Sequence, residues 1–360
     1  MGSLPPPSEE RITPESAHRL VRDILVAYGT PSDRAALVAD SLVLADLRGV
    51  DSHGINRLPS YIARVRSGLL EVNPELTFEI KTPVIATLDA KNTFGFVAAS
   101  MAIDKGIEIA GTYGLAMVGV KHSNHYGMAS TYLLRANRSG FGAMAFTNAS
   151  RAMPAWGGAE KLFGTSPFAV GLPGGENGDF VLDMSPSVAA RGKIRKAARR
   201  GESIPEGFAL DEQGRPTTDP NAALKGSVLP IGGPKGSGIA SMMDIFAGLM
   251  TGAAFKGDVG DMNGPGGVVQ NVGHPFLVFR PDVFLGEKQE YLARMNELLD
   301  TIRKGEKADG FKRVYSSGEI EAEKSESNRR CGISYTTAEI ETLHRLAESV
   351  QCDARLEPVA

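Results

Sequence analysis

The chain has 360 residues, and its 39 lysines and arginines against 42 aspartates and glutamates give a net charge of −3. Nucleic-acid-binding proteins usually carry an excess of basic residues, so this charge balance does not indicate a protein of that class. The two cysteines, Cys331 and Cys352, are too few for a disulfide framework or a four-thiolate zinc site, which indicates a reducing compartment. The polar, proline-rich start and the absence of any run of about 18 apolar residues predict a soluble, cytoplasmic protein without a membrane span.

The first 70 residues predict helices. Thr13 is the expected N-cap of the first helix, with Pro14 at its first position. A second helix is predicted from about Ser32 to Gly49. The polar turn DSHGINR follows it, and a third short helix is predicted at residues 59–67.

From Leu76 onward the sequence predicts strands mixed with helices. Alternation in LTFEIKTPVIATLDA predicts a hairpin, and further strands are predicted at LAMVGV, FGAMAFTNA, FAVGLP, FVLDMS and VGHPFLVFRP. Helices are predicted at residues 96–110, around KIRKAARR, and at 236–256, 287–303 and 336–350, while residues 201–230 read as loop. Because strands and helices do not alternate regularly, we predict a mixed, non-Rossmann α/β or α+β fold.

Three of the six histidines are candidates for acid–base chemistry. His53, His122 and His125 lie in short polar turns at the ends of apolar elements, where ligand-binding side chains are usually placed. His18 and His344 are predicted to lie on the surface. A metal at the HSNHYG turn is not expected, because no third ligand stands in a recognisable context. A structural hydrogen bond is the alternative role for His122.

The DSHGINR turn places Ser52, His53 and Arg57 within six residues. A serine beside a histidine suggests a hydrolase, but no G-x-S-x-G motif is present and hydrolytic triads draw on distant segments. Arg57 is a candidate anchor for a carboxylate, because its planar guanidinium donates two parallel hydrogen bonds. The alternative is a surface arginine with a helix-capping serine.

A glycine-rich turn, GGPKGSGIAS, opens a predicted helix after residue 230. As a Rossmann fingerprint it is weak, because it follows a poor strand and lacks the acidic residue expected after a second strand. It remains a candidate cradle of backbone amides for a phosphate, with Lys235 beside it.

Seven blocks in order over about residues 12–280 resemble the type-2 malate/L-lactate dehydrogenase family. They are DSHGINRLPSYIARVRSG, VGVKHSNHYG, FTNA, WGGAEKLFGTSPFAVGLP, LDMSPSVAARGKI, IGGPKGSGIA and VGHPF. That family includes sulfolactate, ureidoglycolate and diketogulonate dehydrogenases and cyclic imine reductases. The resemblance implies a largely antiparallel mixed sheet and hydride transfer between NADH or NADPH and the C2 atom of a 2-oxo or 2-hydroxy acid. It also implies a homodimer.

The resemblance implies two units and assigns roles to individual residues. Residues 1–75 with 287–360 would form a helical domain, and residues 76–286 an NAD(P)-binding α/β domain. His125 would be the proton donor and acceptor. Ser52 and His53, completed by Asp183, would form a proton relay, and Arg57 would hold the substrate carboxylate. The residues expected against the cofactor are His122, Ser123, Asn124, Tyr126, Gly127, Asn148, Ala149, Asp183, Met184, Ser185, Lys235, Gly236, Ser317, Gly318 and Glu319.

Two departures from the family pattern and three other functions stay open. Ser166 stands where many members have asparagine. The segment 286–334 is longer and more polar than expected, and it contains the cofactor contact that the resemblance implies at residues 317–319. The alternatives are a cyclic imine (ketimine) reductase, a hydrolase using Ser52 and His53, and a non-catalytic nucleotide-binding protein. The sequence does not decide between NAD and NADP. We expect a small-molecule substrate as partner, with no nucleic acid, membrane or metal.

Overall fold

A computed structural model describes residues 9–262 and 267–359 of the chain. The predicted polar start falls mostly on residues 1–8, outside the described residues, as does part of the glycine-rich stretch at 263–266. Within the described residues, no helix combines the length and the apolar character needed to cross a membrane.

The helices follow the predicted order. They are α1 Pro14–Ala27, α2 Ser32–Leu47, α3 Leu58–Arg66, α4 Gly95–Tyr113, α5 Ser130–Arg138, α6 Arg191–Arg200, α7 Pro220–Lys225, α8 Pro234–Met243, α9 Lys288–Arg303, α10 Glu319–Cys331 and α11 Thr337–Glu348. Short 3₁₀ turns span Asp51–His53, Ile55–Arg57 and Gly175–Asn177, and a π-helical segment, Asp244–Leu249, continues α8.

The strands form one large sheet and three small ones. The strands are β1 Glu9–Ile12, β2 Phe78–Thr82, β3 Ile85–Asp89, β4 Leu115–Ser123, β5 Gly142–Phe146, β6 Met153–Pro154, β7 Lys161–Phe163, β8 Phe168–Leu172, β9 Phe180–Met184, β10 Ala209–Leu210, β11 Pro216–Thr217, β12 Ser227–Val228, β13 Val272–Phe279 and β14 Ile333–Thr336. The large sheet has the order β2-β3-β4-β13-β5-β8-β9, and its only parallel pair is β3 with β4. The predicted mixed, largely antiparallel, non-Rossmann fold is confirmed.

Local sequence signals explain where the terminal helices begin. The Thr13 hydroxyl accepts a hydrogen bond from the Ser16 amide, and Pro14 occupies the first turn of α1, as predicted. At α11, Thr336 and Glu339 form a reciprocal capping box. These caps satisfy backbone amides that have no partner inside the helix.

The buried side chains group into three clusters. One joins α1, α2 and α3 to the C-terminal segment 333–356, a second lies between the large sheet and helices α4 and α5, and a third, smaller one lies around residues 152–240. α9 contacts the 3₁₀ turn at 175–177, where the Asn177 amide donates to Asp300 at 2.9 Å. The division into residues 1–75 with 287–360 and residues 76–286 stays a prediction.

Several elements differ from the sequence prediction, among them the 13-residue helix α10, where no helix was predicted. β1 was not predicted, because four mainly exposed residues carry no period, and its partner β14 lies more than 300 residues later. Residues 201–230, expected as loop, contain α7 and the two-residue strands β10, β11 and β12. The helix predicted over 236–256 ends at Leu249, and its second part is π-helical.

Candidate active site

His125 lies in the HSNHYG turn that follows the buried strand β4. The turn needs glycine at position 127, where φ is +77° and a Cβ atom would lie 2.4 Å from Phe96 Cε1. The His125 amide donates to Gln270 Oε1 at 3.1 Å. The backbone around the imidazole is thus fixed on both sides.

The DSHGINR turn forms two consecutive 3₁₀ turns between α2 and α3, and it brings a second imidazole to the first. The rings of His53 and His125 stack with their centroids 5.3 Å apart and an angle of 22° between their planes. Ser52 Oγ lies 2.9 Å from His53 Nδ1. The two predicted turns, about 70 residues apart in sequence, therefore meet at one place.

Tyr61 completes this cluster from the first turns of α3. Its hydroxyl lies 2.8 Å from His125 Nδ1, and its ring packs edge-on against Phe96. The Gly127 amide makes a longer contact of 3.4 Å with the same Nδ1 atom. These contacts occupy one ring nitrogen of His125 and leave Nε2 for a ligand.

Burial favours the neutral form of both histidines. It lowers the pKa of His53 to about 4, with the Arg57 charge acting in the same direction. Burial also lowers the pKa of His125 well below its usual value, and the charges of His53, Arg57 and His274 add to this effect. Both imidazoles are therefore unprotonated at neutral pH.

Arg57 supplies the positive charge of the cluster. Its Nε atom is buried and has no hydrogen-bond partner among the described residues. A buried guanidinium donor without an acceptor is costly, typically by about 1–3 kcal/mol. The role of Arg57 as a carboxylate anchor stays a prediction, and the unpartnered Nε atom is compatible with it.

His274 supports the His125 turn from the central strand β13. It is fully buried, its Nδ1 lies 2.9 Å from the Thr147 hydroxyl, and its Nε2 lies 2.9 Å from Ser123 Oγ. Its ring stacks on Tyr126 at 4.5 Å with 3° between the planes. Burial lowers its pKa to about 3, so this histidine is a neutral structural element.

The side chains of several predicted cofactor residues are used inside the protein. Asn124 donates to the Thr93 carbonyl and accepts from Arg64. Asn148 donates to the Ala254 carbonyl and accepts from the Gly273 amide. Ser123 and Tyr126 pack with His274, as described. The Tyr126 hydroxyl, in contrast, has no hydrogen-bond partner among the described residues.

Asp183 lies in strand β9, and its Oδ2 accepts the amide of Ser130, the first residue of α5, at 2.7 Å. The described hydrogen bonds of Asp183 do not include Ser52 or His53, so the proposed relay through this carboxylate stays a prediction. The buried Arg48 also belongs to this neighbourhood, because the Asp183 charge raises its pKa against the effect of burial. Arg48 donates to the Gly318 carbonyl at 3.4 Å.

The late segment 317–319 lies against strand β9. The Val181 amide donates to the Ser317 carbonyl, and a Cβ atom at Gly318 would lie 2.8 Å from the Val181 Cβ. Glu319 is bound to Arg303 and to the Ser316 amide, so its carboxylate is used within the chain.

The other segments predicted to bind the cofactor are connected by contacts between neighbouring loops. Gly164 packs against Ala149, where an added Cβ atom would lie 2.3 Å from the Ala149 carbonyl oxygen. Ser185, which follows Met184, donates to the Thr165 carbonyl at 2.8 Å. The next residue, Pro186, accepts the Ile231 amide beside the glycine-rich turn. Lys235 is exposed at the first turn of α8, and Gly236 is buried.

His122 makes a hydrogen bond within the protein, as its alternative role requires, while its predicted contact with the cofactor stays a prediction. Its Nδ1 lies 3.0 Å from Asp89 Oδ2, and both side chains are about two-fifths exposed. Within residues 9–262 and 267–359, no group of three or more histidines, cysteines, aspartates and glutamates is arranged to hold a metal ion.

Sequence reasoning missed three residues of the site. Tyr61 lies four residues after Arg57 in a predicted helix, a spacing that could have placed both on one side. Gln270 and His274 come from a segment about 145 residues after His125. No local pattern connects such distant segments, so only the folded chain identifies these two residues.

Comparison with known proteins identifies the family. The model of the malate/L-lactate dehydrogenase family matches residues 12–344. The chain belongs to this family.

Two relatives and two solved structures show how similar this chain is to other proteins of the family. The chain is 39% identical to the (2R)-3-sulfolactate dehydrogenase (NADP(+)) of Chromohalobacter salexigens, over 76% of this chain and 82% of the relative. It is 34% identical to the ureidoglycolate dehydrogenase (NAD(+)) of Escherichia coli K12, over 86% and 88%. The sulfolactate dehydrogenase structure from Methanocaldococcus jannaschii superimposes with a TM-score of 0.89 at 33% identity, covering 96% of this chain and 98% of that one. The delta1-piperideine-2-carboxylate reductase of Pseudomonas syringae has a TM-score of 0.85 at 28% identity, covering 94% and 100%.

Proposed function

We propose that this protein is an NAD(P)-dependent 2-hydroxy-acid dehydrogenase with its reaction centre at His125 and Arg57. The observation that carries the proposal is the unpartnered, buried Arg57 Nε beside two stacked, neutral imidazoles. An anion bound there would have an adjacent group able to accept or donate a proton. A small acid with oxygen at C2 presents both chemical features.

Arg57 would bind the substrate carboxylate. A guanidinium donates two parallel hydrogen bonds to a carboxylate and so fixes its plane as well as its position. This orientation determines which face of C2 is presented for reaction, and a displacement of about 1 Å can cost about 10²-fold in rate.

His125 would exchange the proton on the substrate oxygen through Nε2. In oxidation of the hydroxy acid, the neutral imidazole accepts the hydroxyl proton at Nε2. This step requires the tautomer with hydrogen on Nδ1, which would donate to the Tyr61 oxygen at 2.8 Å in place of the 3.4 Å bond from the Gly127 amide. In reduction, the imidazolium returns the proton to the carbonyl oxygen. The nicotinamide cofactor, when bound, supplies or accepts the hydride at C2.

The glycine-rich turn fits the phosphates of such a cofactor. At Gly236 a Cβ atom would lie 2.4 Å from the Ile231 carbonyl oxygen, so only glycine permits this tight turn. The amides of Lys235, Gly236 and Ser237 already donate to carbonyls of the preceding turn, so the turn would offer a phosphate mainly the positive charge of exposed Lys235. Asn148 to Ala149 and Asp183 to Ser185 would continue the site toward His125.

The proposal is tested by following the absorbance of reduced nicotinamide with NADH and NADPH against a panel of 2-oxo acids. We expect oxidation of at least one cofactor with at least one 2-oxo acid such as oxaloacetate, pyruvate or sulfopyruvate. Cofactor binding without turnover of any tested acid would instead favour a non-catalytic nucleotide-binding protein.

A cyclic imine acid belongs in the same panel, because the Pseudomonas syringae structure is that of a piperideine-carboxylate reductase. Such a substrate also presents a carboxylate for Arg57 and an atom that receives a proton. A kcat/KM that is higher for the imine than for every 2-oxo acid would assign the chain to imine reduction.

The hydrogen bond of 2.9 Å between Ser52 and His53 keeps a hydrolase as the second candidate. A serine-directed phosphonate would label Ser52 and abolish turnover if that serine were a nucleophile. We expect no labelling, because the dehydrogenase reaction requires no activated serine.

The lowered pKa of His125 predicts an unusual pH profile. Oxidation needs the neutral imidazole, so kcat/KM for the hydroxy acid should stay level from about pH 8 down to about pH 6, through the ordinary histidine pKa. Reduction needs the imidazolium, so its kcat/KM should fall as the pH rises over the same range. Initial rates in both directions measure this, and a break near pH 6.5 in both profiles would contradict the lowered pKa.

A further inference from the structure

Asp46 is a buried carboxylate below the DSHGINR turn. It lies near the end of α2, and only 4% of the residue is exposed. Its Oδ2 accepts the Ile55 amide at 2.8 Å and the Tyr335 hydroxyl at 2.8 Å. The carboxylate thus connects α2, the loop between the two 3₁₀ turns, and strand β14.

Gly54 lies directly against this carboxylate. A Cβ atom at position 54 would be 1.6 Å from Asp46 Oδ1, well inside the distance that any real contact allows. The backbone of Gly54 has φ −86° and ψ −164°, which any residue can adopt. The glycine is therefore required by the proximity of Asp46 and not by the backbone conformation.

The Asp46 contacts fall in the middle of the candidate site. Gly54 separates the turn that carries Ser52 and His53 from the turn that carries Arg57, and Ile55 is the first residue of that second turn. A shift of these two residues moves the His53 ring relative to His125 and moves Arg57 relative to any bound carboxylate.

Burial of the Asp46 carboxylate is energetically unfavourable. Desolvation raises the pKa of Asp46 to about 7, and the charges of Asp51 and Glu339 act in the same direction, against the hydrogen bonds from Ile55 and Tyr335. Well-packed apolar residues are often at least as stabilising at such positions. A carboxyl group here is better explained by the position that it imposes on the loop than by stability alone.

We propose that Asp46 is a positioning residue that fixes the Ser52–Arg57 loop through its hydrogen bond to Ile55 and its close contact with Gly54. It touches no reacting atom. The kinetic part of this inference rests on the proposed function, whereas the link between Asp46 and Ile55 can be tested without it.

The kinetic test is a double-mutant cycle of Gly54→Ala and Asp46→Ala. Gly54→Ala should push the loop away from the carboxylate and lower kcat/KM for the 2-oxo acid by about 10²-fold. Asp46→Ala alone should lower it about tenfold. The double variant should regain at least about tenfold over Gly54→Ala, because the added methyl group then occupies the space of the removed carboxylate. Effects that simply multiply would overturn the proposal.

A second readout separates positioning from a general loss of structure. Kd for NADH should change by less than about threefold in all three variants, while KM for the 2-oxo acid rises. The matched control is Asp40→Ala, on the same helix, where the exposed carboxylate pairs with His18. This control should retain wild-type kinetics. A parallel loss of NADH affinity in the Asp46→Ala variant would contradict a role confined to the loop.

Amide hydrogen exchange tests the inference without turnover. The Ile55 amide should exchange at least about tenfold faster in Asp46→Ala than in the wild type, and at the wild-type rate in Asp40→Ala. Should Asp46→Ala not fold, Asp46→Leu replaces it, because leucine has a similar shape, fills the buried space and offers the Ile55 amide no acceptor. Unchanged Ile55 exchange would refute the link. Wild-type protein inactive with every substrate, but with the expected exchange, would refute only the proposed function.

Discussion

Replacement of His125 by alanine is expected to lower kcat by at least about 10²-fold with little change in cofactor affinity. The loss follows from the proposed role of His125, whose Nδ1 lies 2.8 Å from the Tyr61 hydroxyl and whose Nε2 would exchange the substrate proton. Steady-state kinetics with the best 2-oxo acid, together with NADH binding by fluorescence, measures both quantities.

His18→Ala is the matched control for this experiment. His18 lies on α1, where it pairs with Asp40, and its removal should leave kcat unchanged. The His53→Ala variant shows which of the two histidines of the cluster transfers the proton. If kcat survives in His125→Ala and collapses in His53→Ala, the proton transfer belongs to His53 and the proposed assignment is wrong. A loss confined to NADH affinity in His125→Ala would also contradict the assignment.

Replacement of Arg57 by alanine is expected to lower kcat/KM for the 2-oxo acid by about 10²-fold, mainly through a higher KM. The thermal midpoint should not fall appreciably, because the buried Nε atom forms no hydrogen bond in the described chain and its removal leaves no acceptor unpaired. Kinetics and a thermal unfolding curve of the same sample distinguish the two effects.

Arg66→Ala is the control for this variant. Arg66 is an exposed arginine at the end of α3, and its loss should change neither KM nor the midpoint. A substrate KM in Arg57→Ala equal to that of the wild type would eliminate Arg57 as the carboxylate anchor. Removing the Arg57 charge also removes one cause of the lowered His125 pKa, so the pH profile for reduction should move to higher pH.

Much of the fold could be predicted from local patterns. The hairpin β2–β3, the long helix α4 and the buried strand β4 were all recognised, because period and composition are properties of a short segment. The strand β1 and the small strands at 209–228 were not recognised. Each has four residues or fewer, which is too short for a period to appear in the sequence.

Only some residues of the candidate site could be identified from the sequence. His53, Arg57 and His125 were singled out from residue type and position in polar turns. Tyr61, Gln270 and His274 were not, because their relevance comes only from contact with His125 and its turn. The side chains of Asn124 and Asn148, which were predicted to lie against the cofactor, donate to backbone carbonyls of the protein itself.

The sequence alone determined the elements, the two polar turns and their resemblance to one enzyme family, because these depend on residues close together in the chain. Only the tertiary structure decided that His53 stacks on His125, that Arg57 keeps an unpartnered donor, and that Asp46 confines Gly54. Each of these depends on a distance between segments brought together by burial of a common core. Hydrophobic burial depends on the total apolar surface and is non-directional, so a local pattern predicts that segments are buried but not which side chains meet.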